Sequence, residues 1–302
     1  MQITHGRDLT GKIAIITGAN SGIGFETARS LALRGCNVVF ACRDIKAAEE
    51  AIAALKKESP QCTCRALHLD LASLKSVKAF AQNFVLEFRC CDILILNAGV
   101  FGLPYALTED SFETTFQVNF LSQFYLALLV QPLMTSSTLA RVVFVSAESH
   151  RFGSLASSKN LKDALCVPES QYLSTVAYNN SKLCSILGCF ELHRRFADFG
   201  LKCYAVHPGN LVRTNLSRHW WVYKALFAAV QPFAKSVKQA CGCSVYCAVS
   251  PDIANCSGMY VNNCTPCLPS PEAMSPILAN KLWITSLEII EQRLGKKAFF
   301  LE

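Results

Sequence analysis

The first two thirds of the chain alternate short apolar runs with longer amphipathic stretches. The short runs are rich in Val, Ile and Leu with little polar alternation, which is typical of strands covered on both faces. They lie at residues 13–17, 37–41, 64–69, 93–96, 141–146 and 202–207. Helical patterns fall at residues 24–34, 45–57, 74–88, 112–135 and 177–199. Strand–helix alternation with short connections predicts an α/β fold with a doubly wound parallel sheet.

After about residue 210 this alternation breaks. We predict a helix at 236–248, a last short strand at 258–261, a loop at 262–271 and a terminal helix at 276–294. There is no internal repeat and no Gly/Ser-rich linker in the sequence. We therefore predict a single domain over residues 1–302.

The composition narrows the class of protein. Hydrophobic residues make up 51% and charged residues 17% of the 302 residues, which excludes a disordered chain. The net charge of +7 is spread along the chain and favours an anionic ligand such as a phosphate. Without a basic helix face or an aromatic stacking platform, nucleic-acid binding is a remote alternative. With no run of about 18 apolar residues, no transmembrane helix is predicted.

The 16 cysteines do not predict a disulfide framework or a metal site. Residues 1–8 lack the apolar core of a signal peptide, so we expect a cytoplasmic location and reduced thiols. Three groupings, Cys62/Cys64, Cys241/Cys243/Cys247 and Cys264/Cys267, lie close together in the sequence. None is accompanied by a second pair at zinc-binding spacing, so we predict no metal.

A glycine-rich segment follows the first predicted strand and opens a helix. Glycines there let the backbone turn sharply and approach a pyrophosphate, and the helix N-terminus supplies amides and a positive dipole. The alternative is a tight structural turn. The strand before the segment and the helix after it favour a dinucleotide cofactor. The predicted cofactor contacts here are Thr17, Gly18, Asn20, Ser21, Gly22, Ile23 and Gly24.

The end of the second predicted strand bears on which dinucleotide binds. A bare ribose is usually held by an acidic side chain at this position. Here the strand ends in Cys42 followed by Arg43, and an arginine suits a 2′-phosphate. NADP(H) is therefore favoured, while Asp44 keeps NAD(H) open.

Three motifs in this order give the chain a recognisable family resemblance. With the glycine segment 17–24, the Asn97-Ala98-Gly99 segment and the segment 178–182 with Tyr178 and Lys182, the chain resembles the short-chain dehydrogenase/reductase family from about residue 10 onwards. This implies a Rossmann-type sheet, a cofactor-binding core at about 10–209, and an apolar helical substrate lid and C-terminal part at about 210–302.

Further segments resemble one branch of that family. Residues 6–12, 113–119, 148–152, 191–195, 207–210 and 220–223 are similar to the dehydrogenase domain of WW domain-containing oxidoreductases. In those proteins two WW modules precede the enzyme domain. The first tryptophan of this chain is Trp220, so we expect the modules to be absent here.

The resemblance implies an oxidoreductase that moves a hydride and a proton. A tyrosine with its usual pKa near 10 is a poor base, and a lysine four residues on along a helix favours the phenolate. Tyr178 is the implied proton donor and acceptor, Lys182 also binds the nicotinamide ribose, and Asn119 holds a water of the proton relay. Further implied cofactor contacts are Asp70, Asn97, Gly99, Pro208 and Gly209.

One position departs from the family pattern. Ala147 stands where the family has the serine that donates a hydrogen bond to the substrate oxygen. Losing one such donor lowers the rate by roughly 10²–10³. Ser149 has the same strand parity as Ala147, whereas Ser146 points to the other face. We predict that Ala147→Ser raises turnover at least about tenfold, unless Ser149 already serves or the fold no longer catalyses.

The predicted substrate end is apolar. Segment 220–230, with Trp220 and Trp221, fits a lid over a lipophilic alcohol or carbonyl such as a steroid or retinoid. It also fits core packing or a peripheral membrane contact. The resemblance further implies a homodimer through helices 112–135 and 177–199. A cofactor-binding regulator or scaffold with impaired catalysis is the alternative function, because of Ala147.

Overall fold

The strands of the protein join one twisted sheet in the computed structural model, which describes residues 6–135, 137–158, 160–209 and 236–301. The eight described strands are ordered β3-β2-β1-β4-β5-β6-β7-β8, and all neighbours are parallel except β7 and β8. They are β1 (Ile13–Thr17), β2 (Asn37–Cys42), β3 (Cys64–His68), β4 (Ile93–Leu96), β5 (Arg141–Val145), β6 (Lys202–His207), β7 (Met259–Asn262) and β8 (Thr265–Cys267). The predicted doubly wound α/β sheet in a single domain is confirmed.

Side-chain alternation along the strands builds a hydrophobic core on each face of the sheet. Ile15 of β1 packs into one core, whereas its neighbours Ala14 and Ile16 pack into the other. Because both faces of the sheet are buried, polar residues do not alternate with apolar ones along the strands. The strands therefore appear in the sequence as continuous apolar runs.

Helices cover both cores. On one side lie α1 (Gly22–Ala32), α2 (Ile45–Glu58) and α8 (Val237–Val249); on the other lie α3 (Leu74–Glu87), α5 (Ser122–Val130), α7 (Ser174–Phe196) and α9 (Pro276–Leu294). Side-chain caps start several of them; for example, Asp44 accepts a hydrogen bond from Ala47 N at the start of α2.

The helix predicted over 112–135 is built of several parts. A short helix α4 (Thr114–Phe116), capped by Glu113, leads into one π-helical turn (Gln117–Leu121) and then into α5. A 3₁₀ turn (Gln131–Leu133) ends it. A π turn inserts one residue into the helical repeat and re-aims the side chains within it, and Asn119 lies there.

Two sequence expectations about the fold were wrong. The segment 262–271, expected to be a loop, contains β8, which pairs antiparallel with β7 at the edge of the sheet. Pro266 is tolerated there because an edge strand leaves one row of N–H groups unpaired. The short helix α6 (Leu161–Leu165), capped by Asn160, was not expected at all.

The C-terminal helix α9 lies across α5 and α7. Trp283 meets the ring of Phe124 edge-on at 4.9 Å, and the Arg195 guanidinium lies 4.5 Å from the centre of the Trp283 ring. Beyond α9, the Tyr125 hydroxyl donates to the carbonyl of Ala298. The C-terminal part of the chain thus contacts both of the helices that the family resemblance assigned to a homodimer.

All sixteen cysteines are free thiols, and most are buried. In the part of the chain that the structure describes, no three His, Cys, Asp or Glu side chains gather as metal ligands do, and no helix is both long and apolar enough to cross a bilayer. The expected lid, 220–230, lies outside the described residues.

Candidate active site

A cleft of about 970 Å³ runs along the carboxyl ends of β1, β2, β4, β5 and β6. Parallel α/β sheets bind ligands at this edge, where the strand order reverses between β1 and β4. The cleft walls contain nearly every residue that the sequence assigned to cofactor or catalysis. The exceptions are Thr17 and Asn119, which are buried behind the wall.

The glycine segment has the geometry of a phosphate cradle. Gly18 and Gly22 adopt positive φ angles of 65° and 57°, which favour glycine. A Cβ added to Gly24 would lie 2.3 Å from the carbonyl oxygen of Gly18, so only glycine fits there. Ser21 begins α1 but its side chain caps no backbone amide, which leaves the first-turn N–H groups for a ligand. These residues fit the pyrophosphate of a dinucleotide.

Thr17 fastens β1 to β4 rather than lining the cleft. Its hydroxyl oxygen accepts hydrogen bonds from the backbone N–H groups of Asn97 and Ala98, each at 2.9 Å, and donates to Gln123 Oε1 at 2.9 Å. Asn97 Nδ2 in turn donates to the Thr17 carbonyl at 2.9 Å. The sequence analysis did not single out Gln123, whose signal is a polar amide within an otherwise apolar helix.

The end of the cleft beside β2 and β3 combines an exposed arginine with two carboxylates that accept backbone hydrogen bonds. Cys42 is buried at the end of β2, Arg43 is exposed beside it, and both line the cleft. Asp44 is occupied as the cap of α2. Asp70, after β3, accepts a hydrogen bond from Ala72 N at 2.9 Å and also lines the cleft.

Tyr178 and Lys182 lie one turn apart on α7 and are both buried in the cleft wall. Lys182 Nζ donates to the Val145 carbonyl at 3.0 Å and lies 5.5 Å from the centre of the Tyr178 ring. Burial lowers the pKa of Lys182 to about 8 and raises the pKa of Tyr178 above its usual value near 10. The Phe101 ring, which the sequence did not single out, meets Tyr178 edge-on at 4.8 Å.

Asn119 connects the π turn to Val100 and to Ser181 of α7. Its Oδ1 accepts from Val100 N at 2.7 Å, and its Nδ2 donates to the Val100 carbonyl and to Ser181 Oγ, each at 3.0 Å. A Cβ added to Gly99 would lie 3.2 Å from Asn119 Oδ1 and 3.5 Å from Lys182 Nζ. Gly99, Asn119 and Lys182 therefore meet at one point.

The part of the cleft lining that follows β5 lacks the expected serine. Ala147 follows β5 in extended conformation, and a 3₁₀ helix (Glu148–Phe152) begins directly after it. Ser146 Oγ donates to the Lys182 carbonyl at 2.8 Å and is therefore committed to α7. Ser149 lies on the 3₁₀ helix, so strand parity does not set its direction; its hydroxyl is buried and makes no hydrogen bond with the described residues.

Pro208 and Gly209 follow β6 and close the cleft beyond Ala147, together with His207. The glycine segment and the Tyr178–Lys182 pair thus line one cavity. Its volume lies near the upper end of the range typical of ligand sites. The glycine-lined part fits a dinucleotide, and a tyrosine beside a buried lysine lies in the same lining.

Comparisons with known proteins agree with this class. A sequence model of the family described as short chain dehydrogenase matches residues 12–158. The chain belongs to the short-chain dehydrogenase/reductase family.

Particular relatives can be named. The chain is 47% identical over 300 residues to WW domain-containing oxidoreductase from Homo sapiens, covering 99% of this chain and 72% of that protein. It is 38% identical over 282 residues to human Retinol dehydrogenase 12, covering 93% and 87%. A crystal structure of an uncharacterized protein from Mycobacterium paratuberculosis is similar at a TM-score of 0.73 and 31% identity, covering 93% and 94% of the two chains.

Proposed function

We propose that the protein is an NADP(H)-dependent oxidoreductase that interconverts a lipophilic alcohol and its carbonyl. One observation carries this proposal: Tyr178 and Lys182 are buried in the wall of the same cleft that the glycine cradle enters. The cofactor-binding core spans about 10–209 in this proposal, and the region from about 210 covers the substrate.

The proton is handled by residues of α7. When bound, the nicotinamide supplies or takes up the hydride at the substrate carbon. In oxidation the Tyr178 phenolate accepts the proton that leaves the alcohol oxygen, and in reduction the phenol returns it. The Lys182 ammonium, 5.5 Å from the ring centre, favours the phenolate and so opposes the effect of burial on Tyr178. Asn119 and Ser181 hold α7 against the π turn while this happens.

The cofactor preference rests on the end of β2. A 2′-phosphate carries negative charge, and the exposed Arg43 guanidinium lines the cleft where β2 ends. Asp44 would repel that phosphate and could hold a bare ribose, but its carboxylate caps α2. An exposed Arg43 and an Asp44 that already caps α2 together favour NADP(H) over NAD(H).

The substrate class rests on the wall around Tyr178. The side chains there are mainly apolar: Val100, Phe101, Leu103, Val118 and Phe152. Phe152 is 78% exposed, so a large apolar surface faces the mouth of the cleft. These apolar side chains by themselves support a lipophilic substrate.

The test is a titration and an assay on the same protein. We expect wild type to bind NADPH more tightly than NADH, by fluorescence titration. With NADPH we expect turnover of at least one of retinal, a 3-ketosteroid and an aromatic aldehyde. Tyr178→Phe removes only the exchanging hydroxyl and should lower kcat by roughly 10²–10⁴ while NADPH affinity stays unchanged. Equal turnover in Tyr178→Phe would contradict the proposal.

Ala147 favours a second candidate function. A cleft that binds NADPH but lacks a donor for the substrate oxygen suits a cofactor-binding regulator or scaffold. In that case NADPH binds and none of the three carbonyls turns over in wild type. Turnover that appears only in Ala147→Ser would then identify a protein that has kept the cofactor site and lost efficient catalysis.

A further inference from the structure

We propose that Ser149 donates the hydrogen bond to the substrate oxygen that Ala147 cannot. This inference rests on the proposed oxidoreductase function and assigns the missing role within it. Both residues line the cleft together with Tyr178. In the family pattern the donor lies two residues earlier, at the position of Ala147. Here we assign that catalytic role to Ser149.

The backbone keeps Ser149 close to the vacant position. In a strand, two residues would advance the chain by about 6.6 Å. The chain turns into a 3₁₀ helix directly after Ala147, and there the advance is only about 2 Å per residue. Ala147 itself is extended and the helix begins at Glu148, so Ser149 lies closer to Ala147 than in a continuous strand, and both line the cleft.

The Ser149 hydroxyl is available for a new partner. It is buried and makes no hydrogen bond in the described part of the chain. Turning it into another staggered rotamer breaks no existing bond, and a substrate oxygen would satisfy a group that is otherwise unpaired. Ser146 cannot do the same without releasing the Lys182 carbonyl, to which it donates at 2.8 Å.

The 3₁₀ helix that carries Ser149 is fixed on both sides. His150 is fully buried: its Nε2 accepts from Ser270 N at 3.0 Å, so its Nδ1 carries the proton and donates to the Ala147 carbonyl at 2.8 Å. Glu148 accepts from the Tyr260 hydroxyl at 3.0 Å. With both neighbours anchored, Ser149 is held in place while its own hydroxyl stays uncommitted.

A rescue experiment separates a catalytic from a structural role. We compare wild type with Ser149→Ala, Ala147→Ser and the double variant by NADPH consumption with retinal, a 3-ketosteroid and an aromatic aldehyde. Ser149→Ala should lower kcat by roughly 10²–10³, and the double variant should return to within about tenfold of wild type. A packing defect at Ser149 would not be repaired by a hydroxyl at position 147.

The control is Ser154→Ala, which removes an exposed hydroxyl two residues beyond the same 3₁₀ helix and outside the cleft lining. We expect it to retain wild-type kcat. Wild-type activity in Ser149→Ala, or a double variant as slow as Ser149→Ala, overturns the assignment. A silent wild type beside an active Ala147→Ser overturns it as well but leaves the oxidoreductase fold competent. Silence from every variant, with NADPH still bound, overturns the proposed function and this inference together.

Discussion

Lys182 is a cation held almost entirely out of water. Its side chain is 4% exposed, and Nζ bonds to the Val145 carbonyl rather than to a carboxylate. Burial disfavours the charged form, so the pKa of Lys182 falls from 10.5 to about 8. The protein thus keeps a destabilising charge where the proposed proton transfer needs it, as expected of a functional site.

This charge makes a prediction about stability. Between about pH 8 and about 10.5 the unfolded lysine holds a proton that the folded lysine has lost, so this group's contribution to stability rises with pH across that window. Below about pH 8 the folded protein keeps this buried charge at a cost in stability, and Lys182→Met removes that cost. At about pH 7 we expect the variant to have the higher free energy of unfolding, by up to about 3 kcal/mol less the cost of the unpaired Val145 carbonyl.

The difference between the two proteins should be measured by urea unfolding at about pH 7 and about pH 10. The comparison uses the difference in stability between the variant and wild type because cysteines with raised pKa values change stability with pH in the opposite direction. Burial raises the pKa of Cys64 to about 12, for example, and such thiols lower stability as the pH rises above about 9 in both proteins. The prediction is contradicted if the stability advantage of Lys182→Met is as large at about pH 10 as at about pH 7, because Lys182 would then not be a buried charge with a lowered pKa.

At the scale of single residues, the sequence predicts the site correctly where the spacing of two residues alone determines their relative position. The four-residue interval of Tyr178 and Lys182 places both on one face of any helix, and the structure brings them together. The sequence-based prediction fails where geometry depends on the surrounding backbone. Thr17 lies behind the cleft, and the direction of Ser149 depends on a 3₁₀ turn that no local pattern shows.

At the scale of elements, apolar runs locate the strands to within one residue, because strands buried on two faces need continuous hydrophobicity. The helix predicted over 112–135 is in the right place but has the wrong internal structure. Its π turn contains Asn119, which bonds Val100 and Ser181, and partners so distant in sequence leave no local pattern. Likewise, β8 is a strand because β7 lies beside it; its own Thr-Pro-Cys sequence has little strand propensity.

The packing of α9 gives a prediction at this scale. Trp283 contacts Phe124 and Arg195, and its side chain is nearly buried. Trp283→Ala should lower the free energy of unfolding by about 3–5 kcal/mol, measured by urea unfolding. Ile277→Ala on the same helix is the matched control: Ile277 is 83% exposed, and we expect a change within about 0.5 kcal/mol. Equal effects of the two would show that α9 does not pack on α5 as described.

At the scale of the whole molecule, the C-terminal part of the chain packs against α5 and α7. The family resemblance implies a homodimer through these helices, which stays a prediction; Trp283 of α9 and the Tyr125–Ala298 hydrogen bond lie at the same helices. We therefore expect the purified protein to run as a monomer in size-exclusion chromatography with light scattering. A chain ending at Ser275 should expose the apolar side of α5 and self-associate. A dimer of the full chain that Trp283→Ala leaves unchanged would require a different interface.

The same packing sets a constraint on how the protein is made. A ribosome delivers α5 and α7 long before α9, and Tyr125 must wait for a carbonyl 173 residues further along the chain. Contacts of such long range form late and slow the folding of a domain. Until α9 has been made, the nascent polypeptide exposes the aromatic side of α5, as aggregation-prone intermediates do. A premature stop codon ahead of α9 would therefore yield a substrate for chaperones and proteases, although the glycine segment, Tyr178 and Lys182 had all been translated.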